Sequence, residues 1–322
     1  MTEHTVTEAD SGIRLDRWFK RHMPHVTHAL LEKSLRKGDV RVSGKKAKTS
    51  DRVEAGRIIS VNKHVEGISS SRANEPRRIP EKNVAPTLSV EDIRMMHEMV
   101  LYKNADVIVI NKPAGLAVQG GSGITKSIDG MLDTLRFDGK ERPKLVHRLD
   151  RDTSGVLVLA RSAKTAAKLM KIFSGKTAEK TYWALVKGAP EITEGKIDLP
   201  LAKQEEGDVE KVAIDKEEGK RAVTLYRVIE RLSRALAWVE LMPVTGRTHQ
   251  LRVHMAAIGH PIIGDGKYGA REAFIDGLPN RLHLHARHIR IQGMLDVTAP
   301  LPKHMKESFK TLGLEIPASE KT

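Results

Sequence analysis

The run His147-Arg148-Leu149-Asp150-Arg151-Asp152-Thr153-Ser154-Gly155, followed by Val156-Leu157-Val158-Leu159-Ala160, constrains the fold more than any other stretch. Five consecutive apolar residues behind a glycine read as a buried strand, and the charge-dense segment before them as a polar loop held at its mouth. A second apolar run, Val107-Ile108-Val109-Ile110, stops at Asn111-Lys112-Pro113-Ala114-Gly115 and reads as a strand covered on both faces. A loop carried on a rigid strand is a good place for chemistry.

Around these strands the chain shows helices over 15–22, 30–35 and 163–173, with Pro24 separating the first two and Lys37-Gly38 closing the second. Short strands are expected at 39–45, 57–61, 180–188, 222–228, 235–241 and 281–291, and a tight turn entering a helix at 243–254. Alternation puts Lys180 and Tyr182 on one strand face. Many short strands with few helices between them argue against a doubly wound parallel sheet and favour a mixed, largely antiparallel sheet in an α+β domain. The length of 322 residues exceeds one typical domain. Residues 63–95, with Ser69-Ser70-Ser71 and three prolines, read as a linker between a small domain over 1–62 and a larger one over 96–322.

Charge narrows the partner. The formal net charge is +14, and residues 11–48 hold eleven Lys or Arg against three Asp or Glu. A concentrated excess of this size points to a polyanion, nucleic acid before membrane. The helix, basic helix, hairpin order over 11–62, opened by Arg14-Leu15-Asp16 and carrying Gly38-Asp39-Val40-Arg41-Val42-Ser43-Gly44, resembles the S4 RNA-binding domain. Arg14, Arg17, Lys33, Arg36, Lys37, Arg41 and Lys45 are the expected phosphate contacts. No apolar run approaches the ~18 residues that span a bilayer, and residues 1–10 show no signal-peptide pattern. A cytoplasmic protein without membrane contact is expected, with monomer as the default state.

Several chemistries fail on residue type or spacing. The absence of cysteine removes thiolate metal sites and a cysteine nucleophile. Thr153-Ser154-Gly155 lacks the paired glycines of a serine nucleophile elbow, so both hydroxyls read as loop structure. Gly120-Gly121-Ser122-Gly123-Ile124-Thr125-Lys126-Ser127 has threonine where a phosphate-binding loop needs glycine. His249 with His254, and His283, His285 and His288, lack the spacing and acidic partner of a metal site; structural roles are expected and no metal. There remain Asp150 and Asp152, two apart, with Arg148. An ionised carboxylate can act as nucleophile or base, and it can equally be an ion pair that only shapes the loop; residue types alone leave both open.

Two lines, His147 to Gly155 and Val244-Thr245-Gly246-Arg247-Thr248-His249-Gln250-Leu251-Arg252-Val253-His254, together resemble the signature pair of the RluA family of pseudouridine synthases. Ile110 to Gly115, Lys180 to Val186 and Leu282 to Ala286 match three further family segments in order, across about residues 98–300. With the S4-like region ahead, and with Gln119-Gly120-Gly121-Ser122-Gly123, the chain is most similar to the RluC branch, whose members modify large-subunit ribosomal RNA. The resemblance implies isomerisation of uridine to pseudouridine in that RNA without a cofactor. It implies Asp150 as the attacking carboxylate, Arg247 as its ion-pair partner, Tyr182 against the base and Leu251 as an apolar contact beneath it. It also implies that Arg148 fills the space left by the flipped base.

Overall fold

A computed structural model of the chain describes residues 1–66, 88–121, 124–206, 209–232 and 234–316. Most of the expected linker, and Ser122 and Gly123 of the glycine-rich turn, lie outside the described residues. The chain divides into two compact units, Met1–Val84 and Ala85–Thr322.

The first unit runs β1 (Thr2–Thr5), α1 (Leu15–His22), α2 (His28–Lys37), β2 (Val40–Val42), β3 (Ile58–Val61) and α3 (Lys63–Glu66). Leu15, Trp18 and Phe19 of α1 and Leu31 and Leu35 of α2 share one core with Val40, Ile59 and Val61, because apolar residues three and four apart share a helix face. Thr27 Oγ1 accepts the Leu30 N–H at 3.3 Å and starts α2, and Gly38 at φ 81° ends it. The three strands are antiparallel in the order β1-β3-β2. Strand β1 carries no apolar alternation that would announce it; pairing with β3, and a 2.7 Å contact from His4 Nε2 to Glu66, hold it. Val65 of α3 is buried in the same core, so the packed structure extends past residue 62.

Among the described residues the second unit begins with α4 (Val90–Glu98), which starts inside the stretch 63–95 expected as linker and runs past its end. Ser89 and Asp92 form a capping box and Met96 is buried, which is why this helix is ordered. Then follow β4 (Val100–Lys103), β5 (Val107–Lys112), α5 (Ile128–Met131), β6 (Lys144–Leu145), β7 (Ser154–Ala160), α6 (Ala163–Ser174), β8 (Glu179–Lys187), β9 (Glu194–Asp198), β10 (Leu201–Glu206) and β11 (Val209–Ile214). The order closes with β12 (Val223–Arg231), β13 (Leu236–Pro243), α7 (Gln250–Ala257), β14 (Leu284–Ile291), β15 (Leu295–Thr298) and α8 (Lys303–Thr311). A ten-stranded sheet runs β4-β5-β7-β14-β8-β13-β12-β9, with β15 on β14 and β6 on β7; β10 and β11 form a separate hairpin. The β7–β14 pair is parallel and the other pairs of this sheet are antiparallel. The chain is thus α+β with a large mixed sheet.

Both faces of the sheet are covered, which explains the unbroken apolar runs of β5 and β7. Ile108, Ile110, Leu157 and Leu159 pack toward α4 and α5, and Val107, Val109, Val156 and Val158 toward α6. Where β7 meets β14, Gly155 sits at φ 110°, and a Cβ built there would lie 2.1 Å from the Ala286 carbonyl oxygen. Only glycine allows this approach. It fixes the strand whose N-terminal end carries the charged loop.

Candidate active site

The loop before β7 is held from beneath by its own backbone. Lys112 is fully buried, and its Nζ donates to the carbonyls of Pro113 at 2.9 Å, Leu116 at 2.9 Å and Arg151 at 2.8 Å. Burial pulls its pKa down to about 7, against the charges of Asp152 and Asp150. Three acceptors match the three hydrogens of an ammonium, so the cation is the form that fits. Gly115 and Arg151 tie the same loop a second time, through Gly115 N–H to the Arg151 carbonyl at 2.9 Å and Arg151 Nε to the Gly115 carbonyl at 3.0 Å.

Of the histidines expected to be structural, His254, His283 and His285 have protein partners on both ring nitrogens. His285 Nδ1 accepts from Ser154 Oγ at 2.8 Å and its Nε2 faces the Ala299 carbonyl at 3.3 Å. His283 lies 2.7 Å from both the Arg281 carbonyl and Ser308 Oγ. Burial lowers their pKa to about 3 and about 4, so both rings are neutral. Ser154 therefore helps frame the loop, whereas buried Thr153 Oγ1 has no hydrogen-bond partner among the described residues.

Asp150, Arg148, Tyr182, Arg247 and Leu251 line one cavity of about 550 Å³. The loop supplies Arg148, Leu149, Asp150 and Thr153; β8 supplies Lys180 and Tyr182; the turn into α7 supplies Arg247 and α7 itself Leu251 and Arg252; α6 supplies Met170 and Phe173, and the residues after it Lys176. Burial, reinforced by the charge of Asp150, pushes the Tyr182 phenol well above its ordinary range, so it holds its proton at neutral pH. Arg148 is exposed at the rim and makes no hydrogen bond or ion pair with any described residue.

Arg247 departs from expectation. No ion pair joins it to Asp150; its exposed guanidinium donates Nε to the Arg221 carbonyl at 3.3 Å, and its backbone N–H goes to Gln250 Oε1 at 3.0 Å. Gln250 orients the turn in this way, with Thr245 Oγ1 donating to the same oxygen at 2.7 Å. The arginine that senses Asp150 is Arg252, five residues on. It is buried and bonds Asp265 twice at 2.7 Å, Nε to Oδ2 and Nη2 to Oδ1. Burial acts to lower its pKa, and Asp265 with a further contribution from the charge of Asp150 more than offsets that. His249, at φ 53° on the helix entrance, places Nδ1 2.7 Å from Tyr268 Oη. Burial lowers its pKa and the charge of Asp150 opposes the shift.

Sequence reasoning missed Arg252 and Tyr268, yet a signal was present. Residues 250–255 of α7 are all buried, and each polar one among them has a protein partner: Gln250 with Val223 and Thr224, Arg252 with Asp265, His254 with Thr224 at 2.9 Å. Polar residues on a helix with no wet face must be paired.

In the first unit, Arg17, Lys33, Arg36, Lys37 and Lys45 are exposed and their side chains make no hydrogen bond or ion pair with described residues. Arg14 pairs with Asp16 at 2.7 Å, and Arg41 donates to the carbonyls of Gly38 and Gly44 at 3.3 Å each. Lys33, Arg36 and Lys37 fall three and four apart on α2, so like charges crowd one face.

Comparison with known proteins shows the family of the chain. The family model described as RNA pseudouridylate synthase matches residues 106–257, a span that includes the loop, β8 and all of α7. A ribosomal large subunit pseudouridine synthase C of Rickettsia conorii is 38% identical over 277 residues, covering 86% of this chain and 88% of that protein. An RNA pseudouridine synthase 4, mitochondrial, of Arabidopsis thaliana is 35% identical, covering 95% of this chain and 80% of that protein. Among solved structures, human RNA pseudouridylate synthase domain containing 4 superposes with a TM-score of 0.59 at 29% identity, over 70% of this chain and 97% of that one.

Proposed function

Because the chain belongs to the RNA pseudouridylate synthase family, we propose that its cavity receives a uridine of large-subunit ribosomal RNA and converts it to pseudouridine with Asp150 as the attacking carboxylate. The observation that carries this reading is the convergence of one carboxylate, one neutral phenol and one buried arginine on a single cavity. The charge of Asp150 bears on both Tyr182 and Arg252.

The reaction breaks the N1–C1′ bond, turns the base and forms a C5–C1′ bond, while the C5 proton is lost and N1 gains one. Bonds and electrons balance within the nucleotide, so the reading needs no cofactor. Asp150 adds to the base or the sugar and holds the fragment while the base turns. Arg252, fixed by Asp265, keeps positive charge beside the carboxylate without collapsing onto it. Tyr182 presents a ring for stacking and a phenolic proton, and Leu251 forms an apolar floor. A uridine within folded RNA must leave its stack to reach this cavity, at a cost of a few kcal/mol. Arg148, unpaired at the rim, is suited to occupy the vacated space as a planar cation.

The first unit fits S4-type RNA binding, since unpaired cations crowded on α2 are unfavourable until phosphates neutralise them. The large-subunit RNA is inferred from the activity named for the Rickettsia relative. Asp150→Ala should abolish pseudouridine formation, read as carbodiimide-dependent reverse-transcription stops on ribosomal RNA, while RNA affinity stays within a few fold. Retained stops in the variant would refute Asp150 as the attacking group.

A further inference from the structure

We propose that Lys180 is a phosphate-binding residue of the cavity, gripping a backbone phosphate of the nucleotide whose base lies against Tyr182. This rests on the reading of the cavity as a uridine site.

Lys180 and Tyr182 lie two apart on β8 and both line the cavity. Two residues along a strand span roughly 7 Å, a separation on the scale of one nucleotide from base to backbone. The Lys180 ammonium is half-buried and makes no hydrogen bond or ion pair with any described residue. It is also not the counterion of Asp150. Burial alone accounts for its lowered pKa, whereas the charge of Asp150 registers on Lys112, Tyr182, His249, Arg252 and Tyr268.

The charge of Lys180 registers instead on His147. That ring stacks on Phe173 at 4.4 Å, and its Nε2 already accepts the Val158 N–H at 2.9 Å. Burial, with Lys180 adding to it, drops the His147 pKa to about 3, so the ring is neutral. This end of the cavity thus holds a partly desolvated cation against an aromatic backing, with no anion among the described residues paired to it. Desolvating an unpaired ammonium is costly unless an acceptor arrives, and phosphate oxygens are strong acceptors for it. Asp150 is the one acidic residue among the described lining residues, against five Lys or Arg.

The test uses the full chain and a short RNA carrying a mapped target uridine labelled with tritium at C5. Two further RNAs replace the phosphate 5′ or 3′ of that uridine with a neutral methylphosphonate. Lys180→Met should raise Kd and KM by tenfold to a hundredfold, the loss expected for one charge-assisted contact, with kcat at saturating RNA within about threefold. The slope of log affinity against log salt should fall by about 0.7, and Lys180→Arg should recover most of the affinity. One methylphosphonate RNA should weaken binding to the wild type and not weaken Lys180→Met further, the non-additivity of a direct contact.

Unchanged Kd and salt slope with a loss confined to kcat would overturn the proposal in favour of proton transfer. Full additivity of Lys180→Met with both methylphosphonates would overturn it in favour of packing. Should the wild type release no tritium, the uridine reading fails, and the binding measurements still decide the phosphate contact.

Discussion

Replacing Gly155 by alanine tests whether the close approach of β7 and β14 sets the geometry of the loop that carries Asp150. The backbone at Gly155 has φ 110°, and the new Cβ would lie 2.1 Å from the Ala286 oxygen. Strain at such a φ costs about 1–3 kcal/mol. Forcing the two strands apart costs a further ~1–3 kcal/mol, as overpacking does elsewhere. A loss of about 3–5 kcal/mol corresponds to a fall in Tm of roughly 10 °C or more for a unit of this size. Gly115→Ala is the control, because its φ is 91° but nothing lies within 4 Å of the added Cβ; backbone strain of about 1–2 kcal/mol is all it should cost. Thermal unfolding by circular dichroism, with tritium release at 20 °C, reads both consequences. The folded fraction of Gly155→Ala should also lose activity, since Ser154 and Asp150 move with the strand. A Tm within 2 °C of wild type, or a larger drop for Gly115→Ala, would refute the reasoning.

Other substitutions separate the remaining roles. Arg252→Lys should lower kcat at least a hundredfold, whereas Arg247→Gln should change it less than tenfold and act mainly on RNA affinity; the reverse order in single-turnover assays would return the partnership with Asp150 to Arg247. Arg252→Met should also cost about 3–5 kcal/mol by stranding buried Asp265, measurable by urea titration. Stability should fall as pH drops from 6.5 toward 4, because the unfolded chain takes up protons at ordinary histidine pKa values while buried His283 and His285, held at about 4 and about 3, do not; each contributes up to about 1.4 kcal/mol per pH unit, and equal urea midpoints at pH 7 and pH 5 would contradict this. Changing Lys33, Arg36 and Lys37 together to Gln should reduce the salt slope of RNA binding by about 2 with kcat preserved, and an unchanged slope would remove α2 from the interface.

The parts of this site legible in the sequence are those set by local rules. An apolar run behind Gly155 made β7 inevitable, and period-two alternation put Lys180 and Tyr182 on the same face before any tertiary contact was known. Gly38 ended α2 for a reason intrinsic to glycine. What local rules cannot reach is the choice between two arginines five apart. Arg247 and Arg252 occur in one motif, and only the packing of α7 against β12 and β13, with Asp265 arriving from beyond the helix, decides which one is buried beside the carboxylate. Likewise β1 reads Thr-Glu-His-Thr, and its existence depends on β3 offering an edge. The α4 helix was legible in principle, since Ser89 and Asp92 form a capping box, but the prolines and serines upstream masked it. Nothing in Asn111-Lys112-Pro113 announces that the lysine turns inward to three carbonyls.

That inward lysine bears on how the molecule can change over evolutionary time. Lys112 grips the loop through main-chain oxygens, one of them contributed by Arg151; from the exposed positions 151 and 152 the side-chain hydrogen bond to the loop among the described residues is Arg151 Nε to the Gly115 carbonyl, so the loop's path rests more on the buried lysine than on those two side chains. Such a surface can drift in sequence, exploring new contacts with different RNA contours, while the carboxylate at 150 keeps its place. A saturation library across 112 and 150–152 should accordingly accept more residues at 151 and 152 than at 112 and 150, with substitutions at 151 losing the bond to Gly115.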